Sequence, residues 1–418
     1  MVGKKEGTWK KWEKPGDYHF INRIQWDQQE LQSIMEPFNE DWHGYGSSHQ
    51  KFEKKLSEFS GINYFNLTNS GSTAILTALK VLKHQGRFNY GDLILHPITT
   101  FPTSISSAID LGGVPVFVDT RPGTYVIDED QVQKAIEKYP QIRGMIVPHL
   151  LGNMPDMYKI KNSLGDRFLI EDCCDTLGSY FDEQHAGSFG DFVAFSFYGS
   201  HHITSAGVGG AVATNDEELS KLAKSIIFWG RDKYVNTKDQ KNDFLQRYDC
   251  NTIGSDFQMS AIQAAFGLSQ IGKLTKFIQL RSKQFQEMNE IFRKDEIGFE
   301  LPKEHSLAEI CWFSYPLLVK GDAPFSRDDF VKYLQEKNVE TRPIMVANLL
   351  KQIPYSNIKR RTLDDEIFPV ADNIEKNGLF IPAWGMPKDQ KQDYYGILEG
   401  FVKKINKFKR RKVRVSVV

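Results

Sequence analysis

The feature that most constrains this chain is an alternation, through its first two thirds, of short apolar runs with amphipathic segments. YFNLTNS, DLILHPI, VPVFVD, RGMIVPHL, RFLIED, DFVAFSF and GGAVAT are rich in Val, Ile and Phe, and most end at a turn residue, which predicts strands. Helical patterns follow Gly71 and Phe101 and fill Asp128 to Lys138, closely enough behind strands to form right-handed crossovers. An α/β fold with a mostly parallel sheet covered on both faces is expected. At 418 residues the chain exceeds one small domain. From Gln258 a long helical stretch leads to a smaller α+β lobe. That lobe is built from the strand CWFSYPLLVK, the helix SRDDFVKYLQEKNV capped by Ser326, and the terminal helix YYGILEGFVKKINKF. The expected organisation is an amino-terminal extension over 1–25, a large α/β domain over 26–270, a connecting helix over 271–300 and a small α+β domain over 301–418.

Charge narrows the function. Lys and Arg total 53 and Asp and Glu total 53, so no global positive field points to nucleic acid or to a membrane surface. No run reaches the roughly 18 apolar residues that span a bilayer. The first twenty residues are charged and aromatic, unlike a secretion signal, so a cytoplasmic protein is expected. The basic run KKINKFKRRKVRV reads as a solvated helix end. Four cysteines, Cys173, Cys174, Cys250 and Cys311, are too few for a disulfide framework and lack zinc spacing.

Three segments carry candidate chemistry. Asn69-Ser70-Gly71-Ser72-Thr73 lies between a strand and a helix, where free N–H groups can hold a phosphate; a tight turn with an N-cap is the plain alternative. In LIEDCCDTLGS an apolar strand ends in Glu171 and Asp172, where α/β folds place ligands. Asp172 there can pair with a protonated ring nitrogen or cap a turn. The strand DFVAFSF delivers Ser196, Tyr198, Ser200, His201 and His202 to its far end, before a glycine-rich turn. Adjacent histidines diverge and no HxH, HExxH or carboxylate cluster completes a metal site, so an imidazole general base is the better reading.

In this order the three segments resemble the DegT/DnrJ/StrS sugar aminotransferase and dehydratase family of pyridoxal-phosphate proteins, from about Gly44 to Leu398. The resemblance implies an aspartate-aminotransferase-like fold (fold type I). It implies that Ser70, Gly71 and Ser72 hold the cofactor phosphate with Ser196, and that Phe101 of TTFPTS stacks on the pyridine ring. Asp172 would bond the ring nitrogen, with Asp175 where the family carries Gln or His. Five residues after Ser196, where aminotransferases carry the lysine that binds the cofactor covalently, stands His201. That substitution marks the nucleotide-diphospho-4-keto-6-deoxysugar 3-dehydratases, whose SFYxxHHIT matches Ser196 to Thr204. HxLGN matches His149 to Asn153, and TR with a GNL-like stretch matches Thr341-Arg342 and Ala347-Asn348-Leu349. By this resemblance His201 is the base and Arg342 and Asn348 bind substrate, an interlobe ion pair being the alternative for Arg342. Tyr198 supports the base or packs in the core, and His202 packs or bonds locally.

Within this branch an iron–sulfur type holds its cluster by four cysteines, one in the ED segment and others in a WGRDCYC-like stretch. Cys174 fits the first, but the second reads Trp229-Gly230-Arg231-Asp232-Lys233-Tyr234-Val235, with no cysteine where two thiolates should be and none from there to Tyr248. Such clusters need thiolates, so the resemblance implies no iron–sulfur cluster. It implies noncovalent pyridoxal 5'-phosphate or pyridoxamine 5'-phosphate, an amino donor such as glutamate, loss of the 3-hydroxyl from a nucleotide-diphospho-4-keto-6-deoxysugar, and a homodimer. Two positions depart from the branch. Ser205 to Gly210 is one residue longer than the usual GEGG turn and lacks its Glu, and Asp256 stands where the family often brings an Asn from the neighbouring subunit. Another pyridoxal- or pyridoxamine-dependent nucleotide-sugar enzyme, aminotransferase-like or epimerising, and a non-catalytic cofactor-binding relative remain the alternatives.

Overall fold

Strands buried on both faces need apolar side chains in succession rather than in alternation, and the seven runs meet that need. A computed structural model describes residues 18–231, 248–294 and 298–415. Its strands are β1 (Tyr64–Thr68), β2 (Leu93–Pro97), β3 (Val114–Val118), β4 (Ile142–Pro148), β5 (Phe168–Asp172), β6 (Tyr180–Phe181), β7 (Gln184–His185), β8 (Phe192–Ser196), β9 (Gly210–Thr214), β10 (Phe299–Glu300), β11 (Ala308–Glu309), β12 (Tyr315–Val319), β13 (Arg361–Thr362) and β14 (Gly378–Ile381). Eight of them form the main sheet in the order β1-β9-β8-β5-β4-β2-β3-β13. Within it β9 alone runs antiparallel, against β1 and β8, so the mostly parallel α/β sheet is present.

Strands β2, β3, β4, β5, β8 and β9 of the main sheet each feed two cores. In β5, Phe168 and Ile170 join the cluster under the helices Gly71–His84 and Glu217–Ile227, while Leu169 joins the cluster on the other face. The helices start where their caps dictate. Ser70 Oγ accepts from Thr73 N at 3.2 Å, and Asp128 caps Glu129–Lys138.

The helical stretch from Gln258 is two helices, not one. Ser260 forms a capping box with Gln263 at the start of Ala261–Ile271, and the chain restarts after Gly272 and Lys273 as Leu274–Arg293. The carboxyl-terminal lobe builds its own core on the antiparallel sheet β10-β12-β14, the capping-box helix Arg327–Gln335 and the long helix Lys388–Val415. The chain then reaches back, because β13 pairs in parallel with β3 at the edge of the large sheet. Among the described residues no helix is long and apolar enough to cross a membrane. Lys233 to Val235 lie outside the described residues.

One buried carboxylate ties the halves together. Asp119, just past β3, accepts from Val370 N and Ala371 N at 2.9 and 3.0 Å and so caps the helix Pro369–Asn377 of the carboxyl-terminal part. Asp119→Ala strands those donors and is expected to lower stability by about 2 kcal/mol, read from the urea midpoint.

Candidate active site

In a parallel sheet the carboxyl ends of the strands leave a crevice where the connections diverge. Here the segments after β1, β2, β4, β5 and β8 converge on a cavity of about 750 Å³, within the roughly 300–1,000 Å³ usual for small-molecule sites. Ser70, Gly71, Ser72, Phe101, Asp172, Asp175, Ser196, Tyr198, His201 and Arg342 all line it, and Arg342 arrives with Phe313 and Phe380 from the carboxyl-terminal part. A surface depression of about 830 Å³ around Arg87 and Asp191 holds none of these residues.

Close approach shapes one wall. A Cβ on Gly71 would lie 2.6 Å from Cys174 Sγ and 2.9 Å from Ser196 Cβ, so only glycine brings the first helical turn this near to β5 and β8. The ring of Phe101 is 51% exposed, a large apolar face presented to the cavity. Asp172 at the end of β5 also lines the cavity and is buried; Ser104 Oγ donates to its Oδ2 and Cys174 N to its Oδ1 at 3.1 Å.

His201 is fixed by its own ring. Nδ1 lies 2.6 Å from the carbonyl oxygen of Cys174. A carbonyl can only accept, so Nδ1 carries the proton and Nε2 keeps its lone pair. Among the described residues Nε2 has no hydrogen-bond partner. Burial lowers the imidazole pKa to about 4 despite the Cys174 bond and the charge of Asp172, so the ring is neutral near pH 7. Asp175 Oδ1 stands 3.6 Å from His201 Nδ1, and burial, followed by the charge of Asp172, pushes its carboxyl up to about 7. Tyr198 shares the cavity because β8 has already ended at Ser196. Its ring meets that of His201 edge-on at 6.0 Å.

Other expected positions fall elsewhere. Asn348 is not brought to the cavity: its Oδ1 accepts from Leu350 N at 3.2 Å, and its amide donates to Asp372 at 2.9 Å. His202 is buried against the carbonyl of Cys311 at 3.0 Å. Arg342 bonds Glu340 in its own segment at 3.0 and 2.8 Å instead of pairing across the lobes. Asp256 is exposed, with its Oδ1 held by Gln258. Buried His149 bonds Glu171 at 2.9 Å, and three backbone N–H groups saturate that carboxylate. Cys173, its thiol driven well upward by burial, lies beside this hydrogen-bonded pair.

Buried imidazoles set the acid limit of the fold. Burial holds His49, His185 and His201 down at about 4 and His96 at about 3, against about 6.5 in an unfolded chain. Below pH 6.5 the unfolded state therefore binds protons that the folded state refuses, and stability falls with pH down to about 4. Glu53, Asp119, Asp175 and Glu304, whose carboxyls burial raises, have the opposite sign, but they stand against the five lowered rings of His49, His96, His185, His201 and His202. The melting temperature is expected to drop steadily from pH 7 to pH 5; a constant or rising midpoint contradicts this.

No lysine lines the cavity among the described residues. Residues 25–395 match the DegT/DnrJ/EryC1/StrS aminotransferase family. The chain belongs to that family. It is 32% identical to the lipopolysaccharide biosynthesis protein RfbH of Salmonella typhimurium, over 80% of this chain and 81% of that protein. To the GDP-4-keto-6-deoxy-D-mannose 3-dehydratase of Yersinia pseudotuberculosis it is 29% identical, over 85% and 91%. A crystal structure of GDP-4-keto-6-deoxymannose-3-dehydratase with a trapped PLP-glutamate geminal diamine superposes with a TM-score of 0.83. It covers 91% of this chain and 100% of that one at 26% identity. The fold is thus the pyridoxal-phosphate fold type I of the DegT/DnrJ/EryC1/StrS family.

Proposed function

We propose that this member of a pyridoxal-phosphate-dependent sugar aminotransferase and dehydratase family is a 3-dehydratase of a nucleotide-linked 4-keto-6-deoxyhexose. The observation that carries the reading is His201, neutral, with Nε2 unbonded and no lysine in the cavity wall among the described residues. The relatives named for 3-dehydratase activity support it.

The wall fits the cofactor. Gly71 and Ser72 open the helix capped by Ser70, and its first N–H groups suit a phosphate beside Ser70 and Ser196. Phe101 offers a ring to stack on, and Asp172, held by Ser104 and Cys174 N, offers a carboxylate to a protonated pyridine nitrogen. Asp175 keeps its proton up to about pH 7 and can donate as the family's Gln does. When bound without a covalent tether, the pyridoxamine form supplies the amine that engages the sugar ketone and the ring that spreads charge.

The protein's own part is proton traffic and restraint. His201 Nε2 takes the activating proton, and the resulting imidazolium returns it to the departing 3-hydroxyl, which leaves as water. Cys174 O holds Nδ1–H throughout, so the ring cannot exchange tautomers. Tyr198 walls the ring, and Arg342 steadies a phosphate or hydroxyl of the nucleotide sugar. The overall balance is one sugar and one glutamate giving one 3-deoxy sugar, one 2-oxoglutarate and one ammonia. Glutamate thus supplies the reducing equivalents, and the reaction needs no iron–sulfur cluster. A homodimer is part of the proposal; exposed Trp26, Met35, Phe38 and Trp42 offer apolar surface to a second copy.

Incubation with pyridoxal phosphate and glutamate is expected to yield 2-oxoglutarate. Borohydride reduction of the holoenzyme is expected to leave the protein mass unchanged. A stable mass increase on a lysine would remove the noncovalent reading.

A further inference from the structure

The base rides on a loop, and something outside that loop has to hold it. The residues that do so belong to the segment 18–25, which the sequence presents as the end of an extension. His19 N donates to Asn338 O and Glu340 N to His19 O, both at 2.9 Å, which stitches the segment to the carboxyl-terminal lobe. Phe20 O accepts from Trp384 Nε1 at 3.0 Å. Ile21 is fully buried in that lobe's core, and its N–H donates to Glu340 Oε2 at 3.0 Å. The other oxygen of Glu340 holds Arg342. One residue later the segment changes sides. Asn22 Nδ2 donates to Ser200 O and, at 3.1 Å, to His201 O, while its Oδ1 accepts from Arg23 N at 2.8 Å. Gln270 Nε2 then holds Gln25 O at 2.9 Å.

The amide of Asn22 has two N–H groups and both meet main-chain carbonyls, so its orientation is dictated by chemistry. Two consecutive residues therefore hold two lining groups of one cavity, His201 and Arg342. We infer that residues 18–25 form a positioning strap in which Asn22 fixes the backbone of His201 while Ile21, through Glu340, fixes the guanidinium of Arg342. This rests on the reading of His201 as the base and Arg342 as a substrate contact, and it adds what sets the distance between them. Neither Asn22 nor Glu340 touches the reacting atoms; they act through the residues they hold. Placement of a base tolerates little error, and a shift of about 1 Å can cost about a hundredfold in rate.

The full-length holoenzyme provides the test. Asn22→Asp keeps the shape but turns an acceptor toward two carbonyls, and Asn22→Ala removes the donor. Both are expected to lower kcat by roughly a hundredfold, with the dissociation constant of pyridoxal phosphate unchanged. Glu340→Gln, on the far side of the strap, is expected to raise KM for the nucleotide sugar severalfold with a smaller effect on kcat. Histidine ¹⁵N spectra give a readout independent of turnover: wild-type His201 should show a fixed Nδ1–H tautomer, and the Asn22 variants an averaged one. Wild-type kcat together with a fixed tautomer in Asn22→Asp overturns the strap even if His201→Asn is inactive. If wild type deoxygenates no 4-keto-6-deoxy nucleotide sugar, the dehydratase reading fails, and the spectra alone decide the strap. A variant that does not fold is replaced by Glu340→Gln, whose unchanged KM also overturns it.

Discussion

His201→Asn is expected to bind pyridoxal phosphate as wild type does and to lose about a hundred- to ten-thousand-fold in kcat, the usual contribution of a positioned general base. The side-chain amide can still donate to Cys174 O, so the loop keeps its anchor, but it has no lone pair able to take a proton at neutral pH. The neutral ring of the wild type also predicts where activity fails in acid. With its pKa near 4, the acid limb of kcat/KM due to His201 lies well below the 6.5 of an ordinary histidine. His201→Lys is expected to attach the cofactor covalently, read as a mass increase after borohydride reduction. Full activity in His201→Asn would remove the base assignment.

Asp172→Asn is the second large expected loss. The carboxylate sits at the end of β5 with one oxygen on Ser104 and the other on Cys174 N, and an amide can keep that place. What it cannot keep is the charge that holds a proton on a pyridine nitrogen. The drop in kcat is expected to be about a hundred- to a thousandfold, the scale of losing one electrostatic partner of the reacting system. The neighbour gives an independent signature. Asp175 is raised to about 7 by burial and then by the charge of Asp172, so the variant lowers the Asp175 pKa. A pH titration of Asp175 that does not move would contradict the arrangement.

Much of this was legible in the sequence because it depends on local pattern. Apolar runs bounded by turn residues placed seven of the eight strands of the main sheet, all but the two-residue β13, and their carboxyl ends carried Ser70, Asp172 and Ser196 to one crevice. Tyr198 needed the exact end of β8, since one more strand residue would have turned it away from His201. Long-range partners left no local signal. Asn22 meets His201 across 179 positions, and Ser104 meets Asp172 across 68. Asn348 is explained by its own neighbourhood: it begins a short 3-10 turn, and an N-cap amide beside Asp372 reads in sequence like any exposed polar residue. The split at Gly272 was hidden because apolar periodicity continues on both sides of it.

The most direct measurement is product analysis with a GDP- or CDP-4-keto-6-deoxyhexose, pyridoxal phosphate and glutamate. The account predicts a sugar lacking its 3-oxygen, with ammonia and 2-oxoglutarate released in equal amounts. A 4-amino sugar that retains the 3-hydroxyl, formed without free ammonia, would contradict it.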